Sequence, residues 1–144
     1  MPSPTNKLFT ALRAVLVGFN ALNALVGMKV SRGMARQGES LPLLAIHLLS
    51  GERDETHSGE GAERSSRLQF DCDSLTQTQA DEIAEAVGSA LRHALTLTNQ
   101  QVYFLGVSYE DENEQHFTGA SPTKQGAEEY FRKSVIYKIT FKTA

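Results

Sequence analysis

The chain has 144 residues, of which 40% are hydrophobic and 22% charged, with a formal net charge of −3. That length suits one domain, which buries about two thirds of the unfolded chain's surface and needs no staple. A single cysteine, Cys72, excludes an internal disulfide and a cysteine zinc cluster, and 8% aromatic residues with no Trp leave no platform for stacking bases.

Residues 1–5 read as a short flexible arm, with Thr5 as the predicted N-cap of the first helix. Leu8, Leu12, Val15, Leu16, Phe19 and Leu22 recur at helical spacing as far as a stop at Gly27. Gly18 weakens the middle by about 1 kcal/mol relative to Ala. The apolar run "ALRAVLVGFNALNALVG" carries Arg13, two Asn and two Gly, which makes it too short and too polar for a membrane span. It also lacks the features of a clear signal peptide.

Val30 fits a short strand, and Gly33, Gly38, Ser40 and Pro42 punctuate a loop. "LPLLAIHLLS" is an apolar run of strand length. In "SSRLQFDCD", Leu68, Phe70 and Cys72 alternate with polar residues, which predicts a strand with one face buried. Between the two lies "SGERDETHSGEGAERSS", dense in charge and glycine. The flanking strands make it the long tip of a hairpin, turning at Gly59 and Gly61.

"SLTQTQADEIAEAVGSALRHALTLT" is the clearest helix, capped at Ser74 with Gln77 or at Thr78 with Asp81. Its inner stripe is Ile83, Val87, Ala90, Leu91 and Ala94. "QVYFLGVSYE" reads as a strand and "DENEQHFTGASPTKQG" as a polar loop. The last strand turns Val135, Tyr137, Ile139 and Phe141 to one face. The whole is an α+β domain spanning residues 1–144: an antiparallel sheet of about four main strands, two helices packed on it and a long charged hairpin.

Charge is unevenly distributed. Residues 1–38 carry five bases and no acid, residues 39–114 fifteen acids and four bases, and residues 115–144 five bases and two acids. The basic and acidic segments could complement each other between neighbouring copies. They could equally be independently solvated faces.

The residues assemble no catalytic motif: neither phosphate loop, nor dinucleotide fingerprint, nor paired zinc histidines. His47 reads as a packed strand residue and His57 as a solvated one. Cys72 sits on the apolar side of its strand and reads as a core thiol, although pairing of the two strands could bring it near His47. "DENEQHFTG" fails as a calcium loop, with His116 where glycine is required and Pro122 where a bidentate Glu belongs. The N-terminal bases are too sparse for a phosphate clamp. No catalytic residue, cofactor or metal is therefore predicted.

One resemblance emerges from the order of several loose motifs. Leu25, Val26, Gly27, Val30, Gln37, Gly38, Leu41 and Pro42 are followed by Leu68, Gln69, Phe70, Asp71 and Cys72. Then come Ala80, Asp81, Ile83, Ala84, Glu85, Ala86 and Val87. Over about Leu8 to Leu95 this series resembles the tail-completion, or tail-terminator, proteins of long-tailed bacteriophages. Two features depart from the pattern: a long connection between Glu110 and Glu129, and Leu43 where an aromatic is common.

The resemblance implies a virion protein, assembled in the host cytoplasm, that is not an enzyme. It would form a ring, commonly of six copies, at the head-proximal end of the tail. Its implied partners are itself, the tail tube protein and the head–tail connector. DNA would pass through the lumen without sequence-specific binding, and no membrane is involved. On that reading Glu52, Arg53, Asp54 and Glu55 at the hairpin are expected to dock a neighbour or the tube. The acidic loop with Glu110, Asp111, Glu112 and Glu114 is expected to face the lumen. The rival readings are another connector or neck component, separated by which virion layer holds the chain, and a small α+β enzyme or ligand-binding module, which would need a pocket of convergent polar groups.

Overall fold

The structure, a computed structural model, describes residues 3–33, 40–53, 63–97, 102–118 and 129–143. Its elements are α1 (Pro4–Gly18), α2 (Asn20–Val26), β1 (Val30–Arg32), β2 (Leu43–Arg53), β3 (Glu63–Ser74), α3 (Gln77–Ala94), β4 (Val102–Thr118) and β5 (Glu129–Thr143). The strands form one sheet in the order β1-β2-β3-β5-β4. β1 runs parallel to β2 and the other pairs are antiparallel. The α+β expectation therefore stands, with a fifth, parallel strand and a third helix added to it.

The predicted first helix is two helices. It begins earlier than expected, because Ser3 rather than Thr5 is the N-cap; its Oγ accepts from Asn6 N at 3.1 Å and Pro4 opens the helix. The helix breaks beside Gly18, where Phe19 adopts an extended conformation, and α1 and α2 meet at 88°. Asn23 Nδ2 donates to Val17 O at 3.1 Å and Gly27 O at 3.3 Å, satisfying carbonyls near the break and the helix end. The bend lets Leu8, Leu12 and Leu16 of α1 join Leu22 and Val26 of α2 in one core. Gly27 then turns the chain at φ +62°, a conformation that glycine adopts without strain. Among the described residues no single helix is long and apolar enough to cross a membrane.

β2 and β3 form the expected hairpin, with Leu44, Ile46 and Leu48 opposite Cys72, Phe70 and Leu68. A bulge lies between Leu48 and Ser50. The ladder continues to Arg53 opposite Arg64, so much of the charged stretch is strand rather than tip. The expected turn residues Gly59 and Gly61 and the expected solvated His57 lie outside the described residues. Cys72 and His47 do not meet. Cys72 faces the helices, whereas His47 sits opposite Gln69 on the other side of the sheet.

α3 starts at neither expected cap. Thr76 is the N-cap, and its Oγ1 accepts from Gln79 N at 3.1 Å. The expected inner stripe, Ile83, Val87, Ala90, Leu91 and Ala94, is buried against Leu68, Phe70, Tyr137 and Ile139 of the sheet. Gly88 marks the closest approach. A Cβ there would lie 2.8 Å from Tyr137 Oη, so the helix sits on the tyrosine only because the position has no side chain.

The expected polar loop over 111–126 is overturned as far as Thr118, and the rest of it lies outside the described residues. β4 continues through that sequence to Thr118 and pairs with β5 along its length, ending at Thr118 opposite Glu129. Apolar alternation is missing there because β4 is an edge strand exposed from Ser108 to His116, so side-chain burial does not dictate its sequence.

Candidate assembly surface

β3 was expected to bury one face, but near its end it buries both. Asp71 and Asp73 are 3% and 1% exposed, on the side away from the helices. Such burial requires partners. Arg132 Nε and Nη2 reach Asp73 Oδ1 and Oδ2 at 2.7 and 3.0 Å, the bidentate geometry of a guanidinium on a carboxylate. Asp71 accepts from Ser134 Oγ at 2.7 Å and Gln69 Nε2 at 2.8 Å, and lies 2.9 Å from His47 Nε2. Burial raises the Asp73 carboxyl above the ordinary aspartate range, with Arg132 pulling the other way. Burial likewise opposes the Arg132 cation, but Asp73 and Asp71 hold it above the ordinary arginine range. Every member has a partner, so the cluster locks β2, β3 and β5 together.

On the helix side, Lys133 Nζ lies 2.6 Å from Glu112, 3.1 Å from Glu114 and 3.6 Å from Asp81 of α3. The hydrogen bond to Glu112 is the main reason Lys133 is held above the usual lysine range, and Glu112 is lowered in return. This cluster floors a groove of about 560 Å³ between α3 and β4, with Glu85, Arg92 and Tyr109 on its walls. Glu110 pairs with Arg67 at 2.5 Å on the opposite face.

The four residues expected to form an acidic lumen loop are thus in a strand, and three of them make ion pairs within the subunit. The exception is Asp111, whose Oδ1 accepts from the Glu112 backbone N–H. Of the four expected docking residues, Glu52 and Arg53 end β2, opposite Ser65 and Arg64. Asp54 and Glu55 lie outside the described residues. The two groups come from different hairpins, and β3 and β5 separate their strands. The buried cluster around Asp71 was missed. Its signal was two acids in an otherwise core-forming strand, which needed a distant cation to be read.

The far edge of the sheet is basic. Arg13 Nε and Nη2 donate to Val30 O at 3.0 Å and Met28 O at 3.2 Å. Arg32 Nη1 donates to Asn6 Oδ1 at 2.8 Å, and its guanidinium lies 4.0 Å from the centre of the Phe9 ring. Lys29 Nζ donates to Ser40 O at 3.0 Å. These cations bind neutral acceptors.

Cys72 is fully buried, and burial together with Asp73 and Asp71 raises its thiol well above the ordinary range. It is therefore poorly suited to be a nucleophile. Among the described residues no group of three or more His, Cys, Asp or Glu side chains could hold a metal ion.

Among the described residues the two best-built polar clusters are ion-pair networks within the subunit. The chain matches the profile of the family Tail completion protein gp17 over residues 10–116, and it belongs to that family. Its fold is similar to that of a chain in the virion of a native gene transfer agent particle. That similarity has a TM-score of 0.60 at 15% identity and covers 91% of each chain. No curated protein matches the sequence. Family membership supports a tail-associated structural role in a virion and is consistent with a non-enzymatic protein.

Proposed function

We propose that this protein forms a ring at the head-proximal end of a phage tail, ends growth of the tail tube and presents a surface to the head connector. The family match over residues 10–116 carries this reading. A ring cap needs a stiff frame with different surfaces on its two sides. The five-stranded sheet, locked by the Asp71–Arg132–Asp73 cluster, supports such a frame. Six copies is the expected number. The end of the β2–β3 hairpin, with Glu52, Arg53, Asp54 and Glu55, is the proposed docking element, because a run of mixed charge can set register against a partner of complementary charge. Glu110, Asp111, Glu112 and Glu114 were assigned to the lumen as a loop. As an edge strand they remain candidates for a surface that repels passing DNA.

The test is tail-tube assembly from purified tube protein with this protein added. Wild-type protein is expected to cap tubes and stop their growth. Neutralising all four docking residues (Glu52→Gln, Arg53→Gln, Asp54→Asn, Glu55→Gln) is expected to abolish capping while leaving the subunit folded. Tubes that grow unchecked in the presence of folded wild-type protein would contradict the proposal.

A further inference from the structure

We infer that the groove between α3 and β4 receives an acidic side chain of another polypeptide, with Arg92, Ser89 and Tyr137 as donors to its carboxylate and Glu85 as the acceptor for a cation beside it. The groove lies within one subunit, so the inference stands apart from the ring reading. Its floor holds an unused donor. Tyr137 is only 8% exposed and lines the groove, yet its hydroxyl has no hydrogen-bond partner among the described residues. Burial raises that hydroxyl above the ordinary tyrosine range, with the Arg92 cation pulling the other way, so it stays protonated and able to donate at neutral pH. Arg92 is unneutralised as well. Its Nη2 donates to Ser89 Oγ at 3.3 Å, and the guanidinium has no carboxylate partner among the described residues. Both groups border the space that Gly88 leaves open: a Cβ there would lie 2.8 Å from Tyr137 Oη and 3.4 Å from Arg92 Nη1. Ser89 keeps its own hydroxyl proton to donate. A guanidinium flanked by hydroxyls is suited to bind a carboxylate. Arg92 in the last turn of α3 also complements the helix dipole. That accounts for its charge and not for the unpaired hydroxyl beside it.

The surroundings select the ligand. Asp81, Glu85 and Glu112 line the same groove, and its other cation, Lys133, is already held by Asp81, Glu112 and Glu114. Arg92 amid these acids suits a singly charged carboxylate, whereas a phosphate or a nucleic-acid backbone is repelled. Glu85 has no ion-pair partner among the described residues and lies seven positions before Arg92, two helical turns or about 10 Å along α3. A ligand that carries a cation at that distance from its carboxylate satisfies both. The lining is largely polar, and Glu85, Arg92 and Tyr109 are exposed, so a small molecule would bury little apolar surface here. A side chain on a polypeptide anchored elsewhere does not depend on such burial, because anchoring raises its effective concentration.

The probe is the capped peptide Ac-Lys-Pro-Pro-Glu-NH2. Its polyproline II conformation puts the two charged side chains on one side, about 9 Å apart. Nuclear magnetic resonance of the full chain, with labelled backbone amides, measures binding. Saturable shifts are expected around Gly88 and Arg92, with a Kd of about 1 mM for so short a segment. Replacing the peptide's Glu with Gln, or introducing Arg92→Gln into the protein, is expected to weaken binding at least about tenfold. Tyr137→Phe, first shown to be folded by circular dichroism, is expected to weaken it about threefold. Arg92 is exposed, so its variant keeps the test decisive if Tyr137→Phe does not fold. Glu85→Gln is expected to weaken this peptide and to leave one with Ala in place of Lys unchanged; an equal effect on both would overturn the placing of the cation. Absence of saturable shifts, equal binding by the Gln peptide or by Arg92→Gln, or tighter binding of inorganic phosphate or an oligonucleotide at the same residues would overturn the inference and leave the ring reading standing.

Discussion

Arg132 faces two buried carboxylates of the neighbouring strand β3. It is the cation that compensates two nearly inaccessible aspartates, one of them through a bidentate contact. Replacing it with Met would strand Asp73, while Asp71 keeps Ser134, Gln69 and His47, and the expected loss is about 3–5 kcal/mol in urea denaturation. A variant that also carries Asp73→Asn should recover part of that loss. Lys133 plays a different part, because its carboxylate partners are about half exposed. Glu112 is held below its ordinary value, so its contribution is complete above about pH 4.5 and is lost as pH falls through the lowered value. Lys133 is raised, so its contribution is complete below about pH 10.5 and is lost only as pH rises through the raised value. Asp73 has the opposite sign: its raised carboxyl makes ionisation a cost that acid removes. Denaturation curves from pH 3 to 7 should therefore show wild type losing more stability on acidification than Lys133→Met. Equal slopes would show that the Lys133 cluster is without energetic weight.

At the scale of elements, α3 and the hairpins show what a linear reading can recover. The stripe from Ile83 to Ala94 and the alternation of Leu68, Phe70 and Cys72 were legible because each is fixed by burial against a neighbouring layer. The distal half of β4 was not legible. "EDENEQHFT" carries no apolar alternation, and its strand conformation comes from a ladder with residues of β5 that lie 11 or more positions away. The break at Phe19 was signalled only by the poor helix propensity of Gly18, because apolar spacing continues through it. For the candidate site, charge asymmetry was visible in the sequence. The pairing of Lys133 with acids of β4 was not, because strand order depends on β5 inserting between β3 and β4. The contact of Gly88 with Tyr137 gives a sharp test. Alanine in a helix interior normally gains about 1 kcal/mol over glycine. Here its Cβ would meet Tyr137 Oη at 2.8 Å, and the ring is held by edge contacts with Phe70 and Tyr109. Gly88→Ala should therefore be neutral or destabilising in wild type and stabilising in Tyr137→Phe, a coupling of about 1 kcal/mol in a double-mutant cycle. Additive effects would mean that the helix does not rest on the hydroxyl.

The whole molecule is a rigid plate with one helical side, a second side closed in part by a buried ion cluster, and two chemically different edges. Among the described residues the Asp71–Arg132–Asp73 cluster is closed on itself, whereas the Lys133–Glu112–Asp81 cluster lines the groove between α3 and β4. The thiol is sealed in the core, and it should resist aromatic disulfide reagents until the protein is unfolded. Rapid reaction in the native state would argue against the packing described. Family membership points to tail completion, and the plate's unlike edges suit repetition around an axis. The most direct test of the proposed cap is electron microscopy of tails assembled with this protein carrying a visible label. The account predicts label in a closed ring at one end of each tube, the end that accepts heads. Label spread along the tube, or at the end that never joins a head, would contradict it.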